Sequence, residues 1–285
     1  CGDARSAETW IGIRLLKTLS GFWAVYVLVF ISTQIFAGYP VEIYCEKGWI
    51  RGAVYALIDL LGLAHFFSTP TLIGTWWYMS AAVVYIILIP VLIPWAKRLG
   101  YVTLFGVVVF FAHCVWKGYP GGMSLYTFLP ALILGMMFAQ YGLFEKLDRI
   151  EGGWIRCVLY HLLLVGSVLL WIRLPMDRLW IYHMAVAPVI FICYCKKYVV
   201  RLSILKEILA FCGRHSMNIF LVHTFIRYVF FADFIYGFKY FWLIALVLFL
   251  ISAGISVVIE FLKRCVGYER YIDILCGKIS RIGGR

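Results

Sequence analysis

The stretch 211–227, Phe-Cys-Gly-Arg-His-Ser-Met-Asn-Ile-Phe-Leu-Val-His-Thr-Phe-Ile-Arg, holds the residues whose types and spacing could do chemistry. It opens on a basic, glycine-containing turn and runs into an apolar segment carrying His223, with Arg227 four residues on. Residues at i and i+4 share a helix face, and Ser216 and Phe220 fall on the same stripe. An imidazole can take or give a proton near neutral pH. A guanidinium can hold an anionic sugar, a lipid phosphate or a developing oxyanion. In hydrocarbon such groups are costly and face a protein interior or a watery cavity. His223 could equally be a hydrogen-bonded tie between helices, and Arg227 could snorkel to an interface. Both readings of each residue stay open.

The elements that must position them are set by composition. The chain is 64% hydrophobic and 18% aromatic, with only 14% charged residues, where a soluble domain carries about 25%. It reads as an integral membrane protein, and its 285 residues leave room for about eight spans of roughly 20 residues with short loops. The expected fold is an all-α polytopic bundle, a single transmembrane domain over 1–285, with spans at 19–36, 74–95, 101–116, 125–141, 154–172, 179–195, 216–231 and 241–262. Residues 37–72 read as a longer loop. Within it, 49–67 has helical periodicity with Arg51 and Asp59 on otherwise apolar turns, which reads as an interfacial or re-entrant helix. Basic stretches at 196–215 and 263–285 read as a loop and a tail.

The net charge of +12 would suggest nucleic acid in a soluble protein. Here 19 of the 26 Lys and Arg residues fall on the side that holds both ends of an eight-span chain. Positive-inside orientation explains them and places both termini in the cytoplasm, so no nucleic-acid partner is expected. The nine cysteines form no CxxC or Cys/His spacing and read as reduced thiols or small apolar fillers. His65, His113 and His183 lie near one depth in this span map but lack a ligand pattern, so no metal is expected. No nucleophile elbow and no glycine-rich phosphate loop is present.

Gly213, Ser216, Ile219, Leu221 and His223 together resemble the C-terminal signature of the acyltransferase 3 family, integral membrane enzymes of the O-antigen acetylase and nodulation-factor acetylase type. Trp77-Tyr-Met-Ser80 followed by Tyr85 and Pro90 resembles the family's Trp-x-Leu-Ser…Tyr…Pro span. Many members carry a glutamate just after that serine, where this chain has Ala81-Ala82-Val83. Arg14-Leu-Leu-Lys17 resembles the family's cytoplasmic Arg-x-x-Arg motif with Lys in the last place, and Phe128-Leu-Pro130…Gly135-Met resembles its Pro-x-x-x-x-Gly span. The matches run through essentially the whole chain in the family's order.

The resemblance implies a membrane O-acyltransferase that moves an acyl group, acetyl by preference, from cytoplasmic acyl-CoA to a hydroxyl of a cell-surface polysaccharide or its lipid-linked precursor. The expected setting is the bacterial cytoplasmic (inner) membrane. Arg14 and Lys17, with Arg214 and His215, would grip the phosphates of acetyl-CoA, although each could be an ordinary positive-inside anchor. Arg227 and Ser216 would bind the acceptor, and His223 would contribute to transfer. The family carries its presumed catalytic histidine in a span ahead of the first one seen here. The chain starts with Cys1 rather than Met and reads as an N-terminally truncated fragment, with the catalytic base upstream of Cys1. The partners expected are the lipid bilayer and a polysaccharide or glycolipid acceptor. A transporter or flippase for lipid-linked sugars, using the same His and Arg, and a non-catalytic membrane subunit remain as alternatives.

Overall fold

The structure is a computed structural model that describes residues 2–115, 128–149, 153–175 and 180–283. Cys1 lies outside these residues, as do the stretch between the spans expected at 101–116 and 125–141 and the start of the expected span 125–141. Among the described residues every regular element is helical. In chain order these are α1 (Gly2–Ala37), α2 (Tyr39–Cys45), α3 (Trp49–Leu60), a 3-10 turn (Gly74–Trp76), α4 (Trp77–Leu99), α5 (Tyr101–Val115), α6 (Leu129–Tyr141), α7 (Leu143–Arg149) and α8 (Trp154–Arg173). A π turn (Tyr182–Val186), α9 (Ala187–Tyr194) and a second π turn (Cys195–Val199) follow. Then come α10 (Ser203–Phe225), a third π turn (Ile226–Phe230), α11 (Ala232–Tyr236), α12 (Phe241–Cys265) and α13 (Tyr268–Gly283).

Among the described residues three helices are long and apolar enough to cross a membrane: Ser6–Ala37, Gly74–Leu99 and Phe241–Cys265. They contain the first, second and eighth expected spans. Tyr101–Phe111, Leu129–Tyr141 and Cys157–Arg173 are apolar but shorter.

The chain packs as two compact units. One comprises residues 1–90 and 212–285, the other 91–211. In the first, α1 has no proline to interrupt it and presents Phe22, Val25, Tyr26, Val29 and Thr33, all buried, at helical spacing. At 36 residues it is about 54 Å long, well beyond the roughly 30 Å of a hydrocarbon core. Its N-terminal half packs against α13, where Gly12 lets Ile279 come close: a Cβ there would meet the Ile279 Cγ2 at 3.3 Å. The core of this unit joins Phe22 and Tyr26 of α1 to Trp76, Met79, Leu221 and Phe225. Trp76 lies edge-on to Phe22 at 4.9 Å and tilted against Phe225 at 5.3 Å.

The second unit is built on Ala96, Tyr101, Leu104 and Ile133 from α4, α5 and α6. Elsewhere in it, α8 meets the segment that follows through the Ser167 and Tyr182 hydroxyls, 2.7 Å apart, and through His183, whose Nε2 lies 3.2 Å from the Trp171 carbonyl. The helix expected over 179–195 is broken up. A π turn precedes Pro188, and the α-helical part is only eight residues. A proline lacks the N–H that would continue the α register, and a π turn absorbs the mismatch.

Three expectations are corrected. Residues 203–215 are helix, not a basic loop, because Leu, Lys, Glu and Ala favour helix and no proline interrupts them. The tail is helix from Tyr268, because Ile272, Cys276 and Ile279 recur on the side that meets α1. The helix expected over 49–67 stops at Leu60, and a short α2 lies in the stretch before it. The stop is a Schellman motif: Gly62, at φ +71°, donates to the Asp59 carbonyl at 2.8 Å, and Leu63 donates to the Ile58 carbonyl at 3.0 Å. A left-handed φ is free of strain only for glycine.

Candidate functional site

The site is built on α10 and on the segment that enters α4. His223 lies at the end of α10 and is half-buried. Its Nδ1 is 2.7 Å from the Phe220 carbonyl, which can only accept, so the proton sits on Nδ1. Nε2 is then the acceptor, and the Thr224 hydroxyl lies 3.0 Å from it. Thr75, in the 3-10 turn before α4, donates to the Thr224 hydroxyl at 3.2 Å. Next to it the Trp76 indole donates to the Leu221 carbonyl at 3.2 Å. The 74–76 turn is therefore tied twice to the α10 turn that carries His223. The result is a chain of hydroxyls, Thr75 to Thr224, ending on an unprotonated imidazole nitrogen. Such a chain can pass a proton toward the imidazole.

Below His223 on the same helix lies a cavity of about 540 Å3 between α1, α4 and α10. Thr18, Tyr78, Ala82, Ser216, Met217 and Phe220 are among the residues that line it. Phe220 packs edge-on to Tyr78 at 5.3 Å and lies 5.7 Å from the His223 ring. α1 and α10 approach closely because residue 21 is glycine: a Cβ there would meet the Met217 Sδ at 3.1 Å. Ala82 belongs to the run Ala81-Ala82-Val83, which brings no charge to the cavity.

The sequence-derived site residues divide into groups. Ser216 faces the cavity and donates back to the Gly213 carbonyl at 2.9 Å. Arg14 and Lys17 are both exposed on α1. The Arg14 guanidinium lies 5.7 Å from the centre of the Trp10 ring. Lys17 borders a second cavity of about 340 Å3 with Ser20, Glu260, Lys263, Tyr268 and Glu269, so acids as well as cations line it. Arg214 is exposed. His215 instead turns toward α12, its Nδ1 2.8 Å from the hydroxyl of the fully buried Ser256. One residue is about 100° around a helix, and that separates the two. Arg227 falls on the π turn one turn beyond His223, its guanidinium 4.5 Å from the centre of the Tyr228 ring. Its Nε is buried with no hydrogen-bond partner among the described residues.

Sequence reasoning missed three residues near the site. Glu260 on α12 accepts from Asn218 and from Lys263, each at 2.7 Å. Its signal was a carboxylate inside an otherwise apolar span, three residues before a lysine. Thr75 carried no signal. Ser80, noted only as part of a motif, is buried and donates to the Gly62 carbonyl at 2.7 Å, so it fastens the end of α3 to α4. Among the described residues no group of three or more His, Cys, Asp or Glu could hold a metal ion.

No curated protein and no solved structure matches the chain at a significant level. A family model does match: that of the acyltransferase 3 family, described as an acyltransferase domain, over residues 3–261. That range takes in α1, the 74–76 turn, α10 and nearly all of α12, the elements that form the His223 site and its cavity. The family and the three apolar helices together make this an integral membrane protein of acyltransferase type. On this match the chain belongs to the acyltransferase 3 family.

Proposed function

We propose that the protein takes part in O-acyl transfer, moving an acetyl group from acetyl-CoA to a hydroxyl of a surface polysaccharide or of its lipid-linked precursor at the bacterial inner membrane. The observation that carries this reading is the cavity between α1, α4 and α10. Thr18 and Phe220 both line it, and the carbonyl of Phe220 sets the tautomer of His223. A long acyl-thioester needs cations for its phosphates at one end, a narrow slot for its arm and a polar site for the reacting groups at the other. Arg14 and Lys17 supply the cations, with Arg214 beside the entry. The mostly apolar walls, with the hydroxyls of Tyr78 and Ser216, supply the slot. His223 with Thr224 and Thr75 supplies the polar end, and Arg227 one turn on would hold the acceptor.

In the reaction the acceptor hydroxyl oxygen attacks the thioester carbonyl carbon. The new C–O ester bond forms, the C–S bond breaks, and the hydroxyl proton passes to a base and then to the CoA thiolate. The unprotonated Nε2 of His223 can accept such a proton.

The test is label transfer from radiolabelled acetyl-CoA to a lipid-linked polysaccharide by the intact protein in proteoliposomes. Arg14→Ala with Lys17→Ala should raise the KM for acetyl-CoA about tenfold with insertion unchanged, since each charge-assisted contact contributes about 1.5–3 kcal/mol when fully made and much less when exposed. His223→Ala should cut transfer more than it lowers thermal stability. Unchanged donor affinity in the double variant, or full transfer per folded molecule without His223, would overturn these assignments.

A further inference from the structure

Asp59 is the most buried carboxylate among the described residues, 2% exposed, and no step above uses it. Its Oδ2 accepts from the Tyr44 hydroxyl at 2.5 Å and from the Leu72 backbone N–H at 3.0 Å. Its Oδ1 accepts from the Thr71 hydroxyl at 3.0 Å. The Tyr44 hydroxyl in turn lies 3.1 Å from that of Tyr26 on α1. A buried carboxylate is costly unless its lone pairs are filled, and here the donors come from α2 and from the segment returning to α4. An apolar side chain there would strand those donors, so the carboxylate holds in place the groups that donate to it.

What it fixes is the backbone at 71–72. Three residues after Leu72, Thr75 donates to Thr224. At the next residue Trp76 donates to the Leu221 carbonyl. The Thr224 hydroxyl, once it accepts from Thr75, has its own proton free for His223 Nε2. A continuous path thus runs from the Asp59 carboxylate through the Leu72 N–H and residues 72–75 to the imidazole. Ser80 and Trp23 brace the same corner, donating to the Gly62 and Leu60 carbonyls at 2.7 and 2.8 Å.

We infer that Asp59 is a positioning residue for the His223 site: it holds segment 71–76 so that the Thr75 hydroxyl orients the Thr224 hydroxyl onto His223 Nε2. As a statement about catalysis this rests on His223 taking part in acyl transfer. As a statement about the imidazole it does not.

The experiment therefore has two readouts on the intact protein in lipid. The first is the 15N spectrum of histidine-labelled protein, in which the His223 signal is the one lost in His223→Gln. Asp59→Asn, which keeps the shape and one acceptor, should move the His223 Nε2 signal in the same direction as Thr75→Val. The second is kinetics. Each variant should lower kcat about tenfold, as a small misplacement of a reacting group does, with the KM for acetyl-CoA within about twofold of wild type. The double variant should be no slower than the slower single, because both act on one path. If Asp59→Asn lowers the melting temperature but leaves the His223 signal at its wild-type position, Asp59 is only a loop staple and the inference fails. Multiplicative losses in the double variant would overturn it equally. If the wild-type protein transfers no acyl group, the functional reading fails, and the nitrogen signal still decides the role of Asp59.

Discussion

Asp59 and Glu260 are carboxylates on helices of the unit that carries His223, and they are held in different ways. Asp59 is 2% exposed and is filled by two hydroxyls and a backbone N–H, with no cation among its partners. Glu260 is 22% exposed and is held by the Lys263 ammonium and the Asn218 amide. The first ties together segments that no helix connects directly. The second ties α10 to α12 and neutralises itself within one turn of its own helix. An ion pair three residues apart survives wherever that helix goes, whereas the Asp59 network exists only if α2, α3 and the return segment all arrive together. The carboxylate without a cation is thus the one that reports on tertiary structure.

The comparison breaks first at Asp59→Leu. That change leaves the buried Leu72 N–H without its acceptor and the Tyr44 hydroxyl with only that of Tyr26, and it should cost on the order of 3–5 kcal/mol. Thermal unfolding in detergent should show a large drop or no cooperative transition, and a drop no larger than that of Glu260→Gln would break the contrast. Gly52→Ala should come next, at about 1–3 kcal/mol for overpacking, because a Cβ there would meet the Cys45 Sγ at 2.6 Å and the Tyr44 carbonyl at 3.0 Å. It strains the α2–α3 contact that delivers Tyr44 to Asp59, so Asp59→Leu and Gly52→Ala should be strongly non-additive.

Acidity sharpens the comparison. Burial pushes the Asp59 carboxyl above the ordinary aspartate range, against the pull of its bonds to Tyr44, Leu72 and Thr71. The folded state then binds that proton more tightly than the unfolded chain. Its stabilising contribution is full below the ordinary aspartate value and is lost as pH rises through the raised value. Melting temperatures taken stepwise across this window should separate wild type from Asp59→Asn, which has no such titration. Parallel curves would mean that Asp59 titrates normally. The smallest effect belongs to Glu260. Glu260→Gln should cost about 1 kcal/mol, because the pair with Lys263 is partly solvated and the amide keeps an acceptor for Asn218. A double cycle with Lys263→Met should give a coupling of about 0.5 kcal/mol, and a coupling several times larger would put Glu260 in the same class as Asp59.

Much of the site could be read in the chain, but unevenly. The stripe Ser216, Phe220, His223 is visible as a period along one helix, and the structure places Ser216 and Phe220 on one cavity with His223 against Phe220. The pairing of Arg214 with His215 could not be read correctly, because adjacent residues look alike in sequence while a helix turns them to different neighbours. His215 finds Ser256, 41 positions away. Thr75 and Thr224 are 149 positions apart, and neither type is unusual in an apolar chain. Asp59 was visible as an odd charge on an apolar turn. Its donors at positions 44, 71 and 72 were not, since backbone N–H groups leave no mark in a sequence.

The sequence by itself determined that the chain is helical, apolar and built for a membrane, and that its polar chemistry gathers on the segment from Gly213 to Arg227. Those properties follow from composition and from local periodicity, which act over one or two turns. Only the tertiary structure decided which face of α10 meets a cavity and which meets α12. It also decided that Asp59 catches the chain on its return at Thr71 and Leu72, and that a threonine ahead of α4 completes the His223 site. Each of these depends on close approach between segments far apart in the chain. Hydrogen bonds of about 3 Å exist only once packing has fixed the backbones that carry them.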